Sequence, residues 1–112
     1  MKERVAVVTG ANRGIGEEIA RQLAGHGLRV VRTSREPREG FAALDVTSPP
    51  QIAELARLVE RQGGLDVLVN NAGTSLDGFG AAVARRTLDV NFTGAMRVTD
   101  ALLPSMRAGG RV

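Results

Sequence analysis

The sequence contains no cysteine, no tryptophan and no tyrosine, and only one histidine, His26, among 112 residues. Without thiols there is no disulfide, no thiol nucleophile and no cysteine metal ligand, and a lone histidine forms no ligand cluster, so no metal site is expected. Aromatic residues make up 3% of the chain, leaving few rings on which unstacked bases could rest. A nucleic-acid partner is therefore not expected, although the formal net charge is +3. The 15 basic residues, all arginine except Lys2, are interspersed with 12 acids rather than gathered into a block. No stretch approaches the roughly 20 apolar residues of a membrane span, and Met1 to Arg4 runs straight into an apolar segment without a signal-peptide core. Neither secretion nor a membrane partner is expected, and the predicted location is cytoplasmic.

What is there has an ordinary soluble composition, 43% hydrophobic and 24% charged, with room for one domain. Apolar runs of strand length recur at 5–8, 28–33, 41–44 and 65–69, and segments of helical periodicity separate them. That rhythm predicts β-α-β-α-β. The first and fourth runs are continuously apolar rather than alternating, which suits strands buried on both faces of a doubly wound parallel sheet. Between the first two strands, Ile15, Ile19, Ala20 and Leu23 share one helical face, and Gly25 and Gly27 flank His26 where the helix should stop. Ser48-Pro49-Pro50-Gln51 combines an N-cap hydroxyl, prolines in the first turn and a capping-box glutamine, followed by the stripe Ile52, Leu55, Ala56, Leu58 and Val59. Gly63-Gly64 should end that helix. Residues 74–80 read as a polar loop, and 81–106 as mostly helix, weakened or bent at Gly94 and Pro104. Within that segment Val83, Leu88, Val90, Phe92, Met96, Val98, Leu102 and Leu103 exceed one stripe, which predicts burial on two sides. Gly110-Arg111-Val112 reads as the start of a fifth strand, and no linker or repeat divides the chain.

Gly10, Gly14 and Gly16 stand where the first strand turns into the first helix, in Thr9-Gly10-Ala11-Asn12-Arg13-Gly14-Ile15-Gly16. A helix N-terminus offers unpaired amides and a favourable dipole to phosphate oxygens, and glycine lets the ligand approach the backbone. The pattern alone also fits an ordinary tight turn; with a strand before it, a helix after it and the βαβ rhythm around it, nucleotide binding is favoured.

At this point the residues resemble the short-chain dehydrogenases/reductases, whose cofactor loop reads T-G-x-x-x-G-x-G, matched by Thr9 to Gly16. Asn70-Asn71-Ala72-Gly73 after the fourth strand is similar to the family's N-N-A-G element, and Asp45-Val46 after the third to its adenine-contacting pair. Asn91, in Leu88-Asp89-Val90-Asn91-Phe92-Thr93-Gly94, matches the asparagine of the catalytic tetrad. Four matches in order span the chain. The resemblance implies a Rossmann-type sheet and hydride transfer between a nicotinamide and a carbonyl or alcohol substrate. It assigns the phosphates to Gly10, Asn12, Arg13, Gly14, Ile15 and Gly16, the adenine to Asp45 and Val46, and the ribose side to Asn71, Ala72 and Gly73. Asn91 would bend the long helix and help hold a water of the proton relay. The complete protein would be a dimer or tetramer.

Cofactor choice follows from charge. NAD(H)-preferring enzymes usually place a carboxylate at the end of the second strand, where it would repel a 2′-phosphate. No acid occupies Thr33-Ser34-Arg35; instead Ser34 and Arg35 close that strand and Arg13 lies in the glycine loop, resembling the NADP(H)-preferring branch. One charge-assisted contact of about 1.5–3 kcal/mol would favour NADP(H) over NAD(H) by about ten- to a hundredfold. Arg32 points to the other face of its strand. His26 lies away from the ligand crevice and is not read as an acid or base, and Glu17 and Glu18 complement the helix dipole or face solvent.

In the family a tyrosine handles the proton, a neighbouring lysine lowers its pKa and a serine orients the substrate oxygen. This sequence has no Tyr, and its one Lys is Lys2. Residues 1–112 are therefore expected to be the amino-terminal part of a single dinucleotide-binding domain, with about four strands and the start of a fifth, and to be inactive alone. The alternatives are a non-catalytic dinucleotide-binding module or redox sensor, or a structural half-domain.

Overall fold

The computed structural model describes residues 3–73 and 81–112; the loop expected at 74–80 lies outside the described residues. Five parallel strands, β1 (Val5–Val8), β2 (Arg29–Ser34), β3 (Ala42–Ala43), β4 (Leu65–Val69) and β5 (Met106–Arg111), form one sheet in the order β3-β2-β1-β4-β5. Helices α1 (Gly14–Gly25) and α2 (Pro49–Arg61) connect the early strands, and α3 (Ala81–Leu88) and α4 (Gly94–Leu102) precede β5. This is the Rossmann arrangement, and the strand order reverses between β1 and β4. A crevice at the carboxyl ends of the strands follows from that reversal.

Both faces of the sheet are covered because the central strand β1 is buried at every position and its neighbours β2 and β4 carry apolar residues on both sides. Val5, Val7 and Val31 pack with Ile52, Leu55 and Val59 of α2 and with Val98 and Leu102 of α4. Val8 packs on the opposite side with Ala20, Ile19 and Leu23 of α1. Ile15 departs from its expected place on that stripe and is 73% exposed. It sits in the first turn of α1, beside the crevice, so the packed face begins one turn later.

Two other expectations change in detail. The Ser48 hydroxyl accepts from Gln51 N at 3.4 Å, as an N-cap should. The Gln51 side chain does not complete the box, because Ser48 N already donates to the Asp45 carbonyl at 2.9 Å. Its amide oxygen instead accepts from Asp45 N at 2.6 Å. The fifth strand begins at Met106 rather than Gly110, with Leu65 opposite Met106, Val67 opposite Arg111 and an irregularity between.

The long helical segment contains a π-helical turn at Asp89–Thr93, immediately before Gly94, and ends in a 3₁₀ turn, Leu103–Ser105, at Pro104. A Cβ on Gly94 would lie closer than 3.0 Å to Val46 Cγ2, so only glycine permits this approach of α4 to the β3 loop. Burial on two sides is not what the structure shows. Val98 and Leu102 are buried, whereas Leu88, Phe92, Met96 and Leu103 are exposed, because no described residue lies across that outer face.

At the amino ends of the strands, Asp66 accepts from Val5 N at 2.7 Å and from the Arg107 guanidinium at 2.7 Å. Arg107 also donates to the Glu3 carbonyl at 3.1 Å. One carboxylate thereby ties β1, β4 and β5 at the end opposite the crevice.

Candidate functional site

A cavity of about 460 Å³ opens where the strand order reverses. Its floor is the loop from β1 to α1. Gly10 has φ +62 and Gly14 φ +61, left-handed conformations that favour glycine. Gly10 N donates to Thr33 Oγ1 at 3.2 Å and Ala11 N to the Thr33 carbonyl at 2.9 Å, so the end of β2 holds the loop from one side. From the other side, the buried Thr9 hydroxyl accepts from Asn71 N and Ala72 N, both at 2.9 Å. Asn71 Nδ2 donates to the Gly10 carbonyl at 3.1 Å.

Gly10, Asn12, Arg13, Gly14 and Ile15 line the cavity; Gly16 does not. A Cβ on Gly16 would come within 3.0 Å of both the Gly10 carbonyl and Asn71 Nδ2, so a side chain here would break the loop's own packing. At Gly14 nothing lies within 4 Å of the position a Cβ would take, and the backbone is open to the cavity. Arg13, the N-cap residue of α1, makes no side-chain cap hydrogen bond. The amides of the first turn keep their capacity to meet an anion. The cradle therefore fits a phosphorylated ligand.

The next wall comes from the ends of β2 and β3. Ser34, Arg35, Asp45 and Val46 all line the cavity, as do Glu36 and Leu44, which sequence reasoning missed although each adjoins a residue it had singled out. Asp45 Oδ1 accepts from Thr47 Oγ1 at 2.6 Å and Thr47 N at 2.9 Å. Those two bonds, the hydroxyl's first, hold its carboxyl below the usual carboxylate range, and the nearby Arg35 charge adds to the effect.

Asn71, Ala72 and Gly73 supply the third wall, with Val90 of the π-helical turn, which the sequence had read only as a buried apolar position. Asn91 does not reach this cavity. It borders a neighbouring one of about 270 Å³ with Phe92, Ala95, Met96, Thr99 and Asp100. A Cβ on Gly73 would lie 3.0 Å from Asn91 Oδ1, so Asn91 packs close behind the wall of the first cavity. Asn70 Nδ2 donates to Thr99 Oγ1 at 3.0 Å and joins β4 to α4.

His26 is the C-cap residue of α1, outside the lining of either cavity. Glu18 pairs with Arg21 on the surface, and the hydrogen bonds from Arg21 and then Gln22 lower its carboxyl to about 2. Among the described residues no group of three His, Cys, Asp or Glu side chains could hold a metal ion, and no helix is long and apolar enough to cross a membrane.

The family model described as short chain dehydrogenase matches residues 4–112. The chain belongs to the short-chain dehydrogenases. Short-chain dehydrogenase/reductase 1 of Saponaria officinalis is 39% identical over 88% of this chain and 40% of its own length. A short-chain dehydrogenase from Streptomyces avermitilis superposes with TM-score 0.85 at 33% identity, covering 96% of this chain and 46% of that one. A variant of the actinorhodin polyketide ketoreductase, crystallised with NADPH, superposes with TM-score 0.82 at 37% identity, covering 92% and 47%. This short-chain dehydrogenase chain thus spans less than half the length of each of these relatives.

Proposed function

We propose that residues 1–112 form the amino-terminal part of the dinucleotide-binding domain of an NADP(H)-dependent carbonyl or keto reductase. The observation that carries this reading is the pair Arg13 and Arg35 lining one cavity with an uncapped helix N-terminus. The first-turn amides and Arg13 would hold the pyrophosphate, Ser34 and Arg35 the 2′-phosphate, Asp45 and Val46 the adenine, and Asn71, Ala72 and Gly73 the ribose side. Glu36 and Asp45 lie in the same lining, so its formal charges are even. What favours an additional anionic ester is the place of Arg35 beside Ser34 at the end of β2, together with the uncapped N-terminus of α1. A bound nicotinamide would supply the hydride for reversible carbonyl reduction.

In this reading Asn91 bends the long helical segment and helps hold a water of the proton relay. The sequence has no tyrosine to deliver the proton, so the 112-residue chain alone is expected to show no turnover. The substrate is a small carbonyl or alcohol, the complete protein is a homo-oligomer, and the cysteine-free composition suits a cytoplasmic location.

Calorimetric titration with NADPH and NADH, on the protein that carries these residues, tests the proposal together with a ketone-reduction assay. Saturable binding with NADPH preferred by at least about tenfold is expected. Equal affinity overturns the NADP(H) assignment. NADPH binding without turnover of any ketone would favour the binding module or redox sensor.

A further inference from the structure

Strand β3 is two residues long and, among the described residues, pairs with β2 alone. Its last ladder bond runs from Leu44 N to the Ser34 carbonyl at 2.9 Å. One residue further on, the Asp45 peptide has left the sheet and must find other partners, since an unpaired backbone group in a partly buried position is destabilising. Helix α2 supplies them. Gln51 Oε1 accepts from Asp45 N at 2.6 Å, and Ser48 N donates to the Asp45 carbonyl at 2.9 Å. The carboxylate is held by Thr47, and Val46 is lodged against Gly94. Of these contacts, the one from Gln51 is a side-chain interaction across six positions, made by a residue that does not itself line the cavity.

We propose that Gln51 is a positioning residue for the adenine end of the cofactor: by accepting from Asp45 N it fixes the turn at which Leu44, Asp45 and Val46 face the cavity. The proposal rests on the reading that Asp45 and Val46 meet the adenine. Without the acceptor, the Asp45 amide turns toward water and the peptide rotates with it. The cavity wall then has more than one arrangement, and a ligand must select the competent one, which lowers its apparent affinity in proportion.

The test uses adenosine 2′,5′-bisphosphate, the adenosine half of NADP, titrated calorimetrically into the protein that carries these residues, with the melting temperature measured in parallel. Gln51→Met keeps the length of the side chain and removes the acceptor; it is expected to weaken binding by about five- to tenfold at a temperature where the variant is fully folded. Gln51→Glu keeps an acceptor oxygen and is expected to stay within about twofold of wild type. If Gln51→Met does not fold, Gln51→Asn, one methylene too short to reach, should show the same loss. A lower melting temperature with unchanged affinity would make the contact merely structural and overturn the proposal. So would an equal loss in Gln51→Glu. Wild-type protein that does not bind adenosine 2′,5′-bisphosphate removes the cofactor reading itself, a failure distinct from the other two, and this proposal falls with it.

Discussion

Asn71 and Gly10, 61 positions apart, are joined by a 3.1 Å hydrogen bond from the Asn71 side-chain amide to the Gly10 carbonyl. The bond closes the seam between the loops that follow β1 and β4, the two strands between which the sheet reverses its order. Gly16 stands directly beneath it: a side chain there would collide with both partners. The floor of the cavity is therefore a packed unit in which a turn, a helix start and a distant asparagine hold one another.

Thr9 anchors that unit. Its hydroxyl is the common acceptor for Asn71 N and Ala72 N, and the residue is 1% exposed. Thr9→Val preserves shape and orphans both amides, so a loss of about 2–4 kcal/mol in unfolding free energy is expected. Thr9→Ser should retain most of the stability. Urea unfolding of the two variants beside wild type checks this, and equal stability of Val and Ser would contradict it.

Gly14 and Gly16 should respond differently to alanine. At Gly14 there is space but φ is +61, and the left-handed conformation costs an L-residue about 1–2 kcal/mol. At Gly16 the methyl must displace Asn71 or the Gly10 carbonyl, so Gly16→Ala is expected to lose about 2–3 kcal/mol and to bind NADPH more weakly than Gly14→Ala. Denaturant unfolding and NADPH titration of both variants decide, and Gly16→Ala proving the milder change would refute the account of the seam.

Arg35→Asp replaces a cation of the cavity wall with an acid. The NADPH to NADH affinity ratio should fall by about ten- to a hundredfold, mostly through weaker NADPH binding. An unchanged ratio would remove Arg35 from the 2′-phosphate site.

Asp45 carries a pH signature. Its native pKa is depressed, by the Thr47 hydroxyl first and the Thr47 amide next, whereas in the unfolded chain an aspartate titrates near about 3.9. A depressed native pKa contributes stability that is complete above the unfolded value and disappears as the pH falls through the native one. The stability difference between wild type and Asp45→Asn should thus be level from about pH 7 to about pH 5 and shrink below about pH 4. Unfolding free energies measured across that range provide the check; a difference that grows on acidification would be the wrong sign.

Much of the molecule was legible in its residues because the governing interactions span only a few positions. Continuous apolar runs give the buried strands, Ser48 and two prolines start α2, and Gly10 and Gly14 stand in the strand-to-helix turn where the sequence placed them. The motifs also drew together residues far apart in the chain: Gly10, Ser34, Asp45 and Ala72 line one cavity, whereas Asn91 borders another.

The remainder came from folding in three dimensions. Local spacing made Gln51 a capping residue, but Ser48 N is taken by the Asp45 carbonyl, and the end of a short edge strand delivers the Asp45 amide to the Gln51 side chain instead. Ile15 fitted a helical stripe, yet the turn carrying it overhangs the crevice instead of the core. Gly16 is also the place where two loops touch, which its spacing did not show. Neither Asp66 nor Arg107 stood out until three strands brought them to the same end of the sheet. Propensities and caps are written in neighbouring residues and can be read along the chain. Which donor meets which acceptor across sixty positions depends on strand order and register, and exists only once the sheet has assembled.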